Sequence, residues 1–154
     1  MESNAHEGQV CGSQSFTVDI DPTTYASRFS LKFKGLPFKT VWLEYPQIEP
    51  TLRDLGVTPT LFKFEEEQKR IYTVPVIIDS FHLTPNGDPT VVSDSWAIAE
   101  YLDEVYPNPI MLFPQGTKAL QSQFLEDFMR DVFSTLLPAL VPTFPDFLND
   151  ESRQ

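Results

Sequence analysis

The pattern of apolar and polar positions divides the chain into a mixed α/β first part and a helical second part. Phe16 to Ile20 (FTVDI) alternates as a short strand does. Asp21 and Pro22 then open a helix, since Asp caps and Pro suits the first helical position. The spacing predicts a helix over Pro22–Lys34, with Tyr25, Phe29 and Phe33 as its buried stripe and Lys32 and Lys34 at its negative end. Gly35 supplies a left-handed cap and Pro37 blocks continuation. A second strand follows at Thr40–Leu43, and a short helix at Ile48–Leu55 ends at Gly56. Residues Thr58–Gln68 carry no clear pattern. Ile71–Ile78 (IYTVPVII) is β in composition, but Pro75 cannot donate to a ladder. Either the strand is an edge, or it starts at the proline, with a cis Val74–Pro75 bond as one way to do so.

The turn Pro85-Asn86-Gly87-Asp88 joins that strand to Val91–Val92 as an antiparallel hairpin. Ser93, Asp94 and Ser95 then lead into a helix to about Tyr106, with Trp96, Ile98, Tyr101 and Leu102 on its apolar stripe. Trp42 and Trp96 both read as core residues. The order β-α-β-α-β-β-α implies a right-handed parallel crossover followed by a hairpin, which a mixed four-stranded sheet accommodates. A helix over Thr117–Leu137 is expected to stop at Pro138. Its wide apolar face (Leu120, Phe124, Phe128, Phe133, Leu136, Leu137) must pack on the first unit, on another copy or on a partner. The chain therefore divides into a disordered tail (1–15), an α/β unit (16–106), a linker (107–116) and a partial helical unit (117–154).

Composition narrows the function. The 154 residues are 41% hydrophobic, enough for a core, and the net charge of −11 argues against nucleic-acid binding and docking on an acidic membrane. No run is long enough to span a bilayer, and Met1–Gln14 has no apolar, basic-led leader, so a cytoplasmic protein is expected. Cys11 is alone, excluding an intrachain disulfide, and reads as an ordinary tail thiol. His6 and His82 are too few and too far apart for a metal site, and no metal is expected. Glu65-Glu66-Glu67 reads as a solvated face.

Two places carry candidate chemistry. Asp94 and Ser95 stand at a helix start, where the free amides and the macrodipole favour an anion; both also read as plain caps. In an open α/β sheet a ligand sits beyond the carboxyl end of the first strand, which points to Asp21–Thr24.

Thr73-Val74-Pro75-Val76, Ser93-Asp94-Ser95 with Ala97-Ile98-Ala99-Glu100-Tyr101-Leu102, and Tyr106-Pro107, taken in order, resemble the thioredoxin-fold domain of the glutathione S-transferase family. Lys34-Gly35-Leu36-Pro37-Phe38-Lys39-Thr40, Tyr45-Pro46-x-Ile48-Glu49-Pro50 and Pro114-x-Gly116-Thr117 look closest to fungal members related to bacterial β-etherases. The resemblance implies a thioredoxin-like domain followed by an incomplete all-α C-terminal domain. It implies glutathione as co-substrate, a small hydrophobic electrophile or an aryl ether as second substrate, and a homodimer. It also implies that Val74, before a cis Pro75, holds the cysteinyl backbone, and that Asp94 and Ser95 hold the γ-glutamyl end. The family's Ser or Cys before the first helix is Asp21 here, a carboxylate that accepts hydrogen bonds and disfavours a nearby thiolate. Thr23 or Thr24 is the candidate hydroxyl donor in its place. Tyr25 has a suitable hydroxyl, but its spacing with Phe29 and Phe33 reads as core. Three outcomes stay open: a glutathione-conjugating enzyme, a catalytically weak or inactive glutathione-binding or regulatory module, or a truncated, non-functional fragment.

Overall fold

The computed structural model describes residues 13–17, 22–64, 67–107 and 110–143. Four strands form one mixed sheet in the order β2-β1-β5-β6. Strand β1 (Ser13–Thr17) runs parallel to β2 (Phe38–Trp42), joined by helix α1 (Pro22–Phe33). Helix α2 (Tyr45–Asp54) and a separate hairpin, β3 (Thr60–Phe64) and β4 (Glu67–Ile71), lead to β5 (Val76–Leu83). β5 is antiparallel to both β1 and β6 (Pro89–Ser93). Helices α3 (Ser95–Val105) and α4 (Lys118–Leu140) follow. This is the expected mixed four-stranded sheet of a thioredoxin-like unit, followed by the long helix α4.

The alternation along β5 builds a core on each face of the sheet, as a two-residue period requires. Val76 meets Ile48 and Leu52 of α2, with Val74 beside them. Ile77 meets Leu31 of α1 and Ile98 and Leu102 of α3. Ile77, Leu31, Ile98, Leu52 and Val76 are fully buried, each worth about 1.5–3 kcal/mol relative to exposure.

Several expectations hold. Gly35, at φ +67°, ends α1, while the Leu36 amide returns to Leu31 O at 3.0 Å, a backbone angle that glycine adopts without strain. The Pro85–Asp88 turn closes through Gly87 N to Thr84 O at 2.9 Å. Pro75 lies just outside the ladder, β5 starting at Val76, and the Val74–Pro75 bond is cis.

Others are corrected. The first strand begins at Ser13, three residues before Phe16 and inside the predicted tail, because β1 pairs along its whole length with Phe38–Trp42. The predicted stripe of α1 is on the wrong face: Tyr25, Phe29 and Phe33 are exposed, whereas Ser27, Leu31 and Lys34 are buried. Two residues turn a helix by about 200°, so a frame shifted from 25-29-33 to 27-31-34 presents the opposite side. Trp42 is half exposed at the end of β2, which is an edge strand. Pro138 lies within α4 and does not stop it. Its fixed φ is itself helical and it sits in the last turn, so the missing N–H removes a single bond. The unpatterned 58–68 region contributes β3 and the start of β4; Glu65 and Glu66 lie outside the described residues.

Two buried carboxylates tie α1, α3 and the sheet together. Asp103 pairs with Lys34 Nζ at 2.5 Å and accepts the amides of Leu112 (2.8 Å) and Phe113 (2.7 Å). Lys34 Nζ also donates to Tyr106 O at 2.9 Å. The segment after α3 is thus pinned to the end of α1. Asp79, in β5, accepts Tyr101 OH at 2.6 Å and Tyr106 OH at 2.5 Å, and its other oxygen accepts the Phe81 and His82 amides where the β5–β6 register shifts.

Burial alone would raise both carboxyl pKa values. The tyrosine hydroxyls and two amides outweigh it at Asp79, as Lys34 and two amides do at Asp103, so both fall below the usual carboxylate range. A folded pKa below the unfolded value of about 4 gives stability that is present above that pH and lost as pH falls through the folded values. Urea midpoints are therefore expected to be flat between about pH 7 and 5 and to drop below about pH 4. An Asp79→Asn variant should show a shallower acid drop; equal slopes would contradict the assignment.

Candidate functional site

The strand registers bring four chain positions to one end of the sheet. Thr17 lies level with Trp42, Phe16 with Val76, and Val76 with Ser93. The carboxyl ends of the parallel strands β1 and β2 therefore coincide with the Val74–Pro75 turn and with the entry to α3. Strands lie about 4.8 Å apart, so this edge is roughly 14 Å wide from β2 to β6.

At one side of the edge, the Asp94 amide donates to Pro75 O at 3.2 Å, fastening the start of α3 to the cis-proline turn. Asp94 has φ +79°, a left-handed value that Asp tolerates better than most residues. Its Oδ1 accepts the amides of Trp96 (2.9 Å) and Ala97 (3.0 Å), and its carbonyl accepts that of Ile98. Three of the four amides in the first turn are thereby satisfied, and the Ser95 amide has no partner among the described residues. Asp94 Oδ2 likewise has no partner among the described residues, and Asp94 is exposed. Capping and ligand holding are thus compatible: one oxygen caps, and the second oxygen and one amide face outward from a positive helix end. Val74 and Pro75 are buried below them, with Val74 in the α2 core cluster.

The helix behind this turn is braced. The Trp96 indole donates to Glu100 Oε1 at 2.7 Å and its ring packs 4.6 Å from Phe113. Lys118 at the start of α4 reaches the same Glu100 oxygen at 2.8 Å. Lys118 and the Trp96 indole hold the Glu100 carboxyl below its ordinary range.

On the opposite side of the edge, the structure gives less of the predicted site. Asp21 lies outside the described residues. Thr23 and Thr24 are described as backbone in the first turn of α1, without their side chains. Tyr25, read from the sequence as core, is instead exposed, with its ring 6.4 Å from Phe29. Cys11 and His6 lie outside the described residues, and His82 is exposed with its ring edge-on to Tyr101. Among the described residues no group of three His, Cys, Asp or Glu could hold a metal ion, and no helix is long and apolar enough to cross a membrane.

Sequence reasoning missed Lys34, Asp79 and Asp103. Their only trace was a charged residue inside an otherwise apolar stretch, as with Asp79 in VIIDSF and Asp103 beside Leu102.

Comparison with known proteins agrees with this geometry. Residues 22–105 match the family model for the glutathione S-transferase N-terminal domain. The glutathione S-transferase-like protein ustS of Aspergillus flavus is 37% identical over 91 residues, 58% of this chain and 30% of that protein. A glutathione S-transferase of Ceriporiopsis subvermispora, solved in complex with glutathione, superposes with a TM-score of 0.75 at 33% identity, covering 92% of this chain and 56% of that one. Glutathione transferase GSTFuA2 of Phanerochaete chrysosporium gives 0.73 at 36% identity, covering 92% and 57%. The chain spans little more than half the length of these solved relatives and under a third of the curated one. With its sheet order, its cis-proline turn and a family model matched over more than half its residues, the chain belongs to the glutathione S-transferase family.

Proposed function

We propose that the chain binds glutathione along the carboxyl edge of its sheet. The observation that carries this reading is the hydrogen bond joining Asp94 to Pro75, which puts an outward carboxylate oxygen and an unpartnered helix amide beside the cis-proline turn. In this arrangement the γ-glutamyl carboxylate takes the Ser95 amide and hydroxyl, and the γ-glutamyl ammonium pairs with Asp94 Oδ2. The cysteinyl backbone lies along Val74 ahead of Pro75, as an added strand would. An extended tripeptide is roughly 10 Å long, which the 14 Å edge accommodates. Supporting the same reading, the related Ceriporiopsis enzyme was solved in complex with glutathione.

Asp94→Asn separates holding from capping. Asn keeps a capping oxygen and tolerates positive φ, so stability should change by less than about 0.5 kcal/mol. The ammonium loses its counter-charge, so glutathione affinity measured by calorimetry should fall about tenfold. An unchanged affinity would remove Asp94 from the site.

The activity in this proposal is conjugation. The thiol gives its proton to solvent, the thiolate sulfur forms a bond to carbon of a small hydrophobic electrophile or an aryl ether, and the bond to the leaving group breaks with its electron pair going to that group. Thr23 or Thr24, in the first turn of α1, donates a hydrogen bond to the thiolate and lowers the thiol pKa. Asp21 works against this, because a carboxylate cannot donate and repels a thiolate. In a thiol-conjugation assay, Asp21→Ser should raise the rate about tenfold or more; a fall would assign the carboxylate a positive role.

A second reading, a cytoplasmic glutathione-binding module without turnover, is favoured by Asp21 itself. Calorimetric binding with no conjugation would select it. In both readings the tripeptide-binding unit is residues 16–106, residues 107–116 link it to the helical part at 117–154, and two copies associate. The exposed Leu120, Phe124 and Phe128 on α4 support the last.

A further inference from the structure

The carboxyl edge carries a second cluster, on the β2 side, that the tripeptide seat leaves unused. Trp42, the last residue of β2, is 50% exposed, and Tyr25 of α1 is 44% exposed. The Arg28 guanidinium lies between them, 5.3 Å from the Trp42 ring centre and 5.7 Å from that of Tyr25. Four other described cations pair with carboxylates, Lys34 with Asp103, Arg53 with Glu49, Lys118 with Glu100 and Arg130 with Asp127, whereas Lys32, Lys39 and Arg70 pair with none among the described residues. Arg28 pairs with no carboxylate among the described residues.

The geometry gives the cluster a chemistry. Ring faces attract the guanidinium through their quadrupole and hold its plane in place. The N–H donors lie in that plane and remain suited to a planar, two-oxygen acceptor. The half-exposed indole beside them offers a flat apolar surface. A rigid arene bearing a carboxylate satisfies both features at once: the ring stacks on Trp42 and the carboxylate meets the Arg28 fork. A neutral arene would use only the indole.

We propose that Tyr25, Arg28 and Trp42 form a seat for an aryl carboxylate, so that the second substrate is an anionic arene. The role in turnover rests on the glutathione reading, because Trp42 lies level with Thr17, the described end of the strand leading to α1, where that reading places the sulfur. Binding to the seat does not require glutathione.

The test uses 4-chloro-3-nitrobenzoate and its methyl ester, each titrated into the 15N-labelled full chain with and without glutathione. The chain has two tryptophans, hence two indole N–H signals, and Trp42→Phe assigns them. The acid should move the Trp42 signal, leave that of Trp96 in place, and bind about tenfold more tightly than the ester, the size expected of one charge-assisted pair at a half-exposed site. Arg28→Gln should abolish that preference, and Arg28→Lys should keep part of it, as a point charge without the fork. Equal affinity for acid and ester, a shift at Trp96 alone, or an unchanged preference in either folded Arg28 variant would overturn the proposal. The Ser95 amide is read in the same samples. If it ignores glutathione while the seat behaves as stated, the glutathione reading fails and the seat stands. If it responds to glutathione while the acid does not bind at Trp42, the seat alone is overturned.

Discussion

Asp103→Ala is expected to destabilise the fold by about 3–5 kcal/mol, measured by urea unfolding, the cost of leaving a buried cation without its counter-charge. The Lys34 side chain is fully buried, and Asp103 is its only carboxylate among the described residues. The same substitution frees the Leu112 and Phe113 amides, which pinned the segment after α3. Lys34→Met should also be costly, since it strands the carboxylate. The double variant Lys34→Met/Asp103→Leu should recover the part of the loss due to the unpaired charge, because apolar replacement of a buried pair is often neutral or stabilising, while the part due to the freed amides remains. Additive losses in the double variant would show that the two residues do not act as a pair. With the Leu112 and Phe113 amides released, proteolysis between Pro107 and Gly116 should accelerate in Asp103→Ala and remain faster than native in the double variant, whose residue 103 accepts neither amide.

Asp79→Ala should cost about 3 kcal/mol or more, since four donors lose their acceptor and two of them are amides at a register shift. Asp79→Asn should cost less, about 1–2 kcal/mol, because an amide oxygen still serves two of those donors. The effect has a spectroscopic signature. Burial and the Asp79 carboxylate push both tyrosine hydroxyls far above their ordinary range. In Asp79→Asn, the tyrosinate absorbance of Tyr101 and Tyr106 should emerge at lower pH than in the native chain. Tyr101 and Tyr106 anchor the helix whose first turn is the proposed glutathione seat, so glutathione affinity should fall along with stability. A large stability loss with native affinity would separate this brace from the site.

Local signals were the ones readable from the sequence. The helix start at Asp94-Ser95, the turn at Pro85–Asp88 and the Gly35 stop each involve a few neighbouring residues with limited backbone options. The parallel first pair and the closing hairpin followed from the same elements and the handedness of crossovers, whereas the order of the four strands came only with the structure. The burial of α1 was not legible. Tyr25, Phe29 and Phe33 make the better stripe by hydrophobicity, yet Ser27 and Leu31 face the core, and a small Ser lets α1 lie close to α3. Lys34 and Asp103 are far apart in sequence and share no period, so nothing local marks them as partners. Asp94 showed why the cap and the ligand readings could not be separated: one carboxylate has two oxygens, and the structure gives one to the cap and leaves the other without a partner among the described residues.

In the proposed seat, the edge between Pro75 and Asp94 holds the γ-glutamyl end of glutathione. The most direct test of this placement is amide chemical shifts of the 15N-labelled chain, titrated with glutathione and separately with cysteinylglycine, which lacks that end. The account predicts saturable shifts at Ser95, Trp96 and Val74 with glutathione, and a loss of the Ser95 and Trp96 response with cysteinylglycine. No shift at Ser95 at about 10 mM glutathione, a concentration that would nearly saturate a site with Kd about 1 mM, would contradict it.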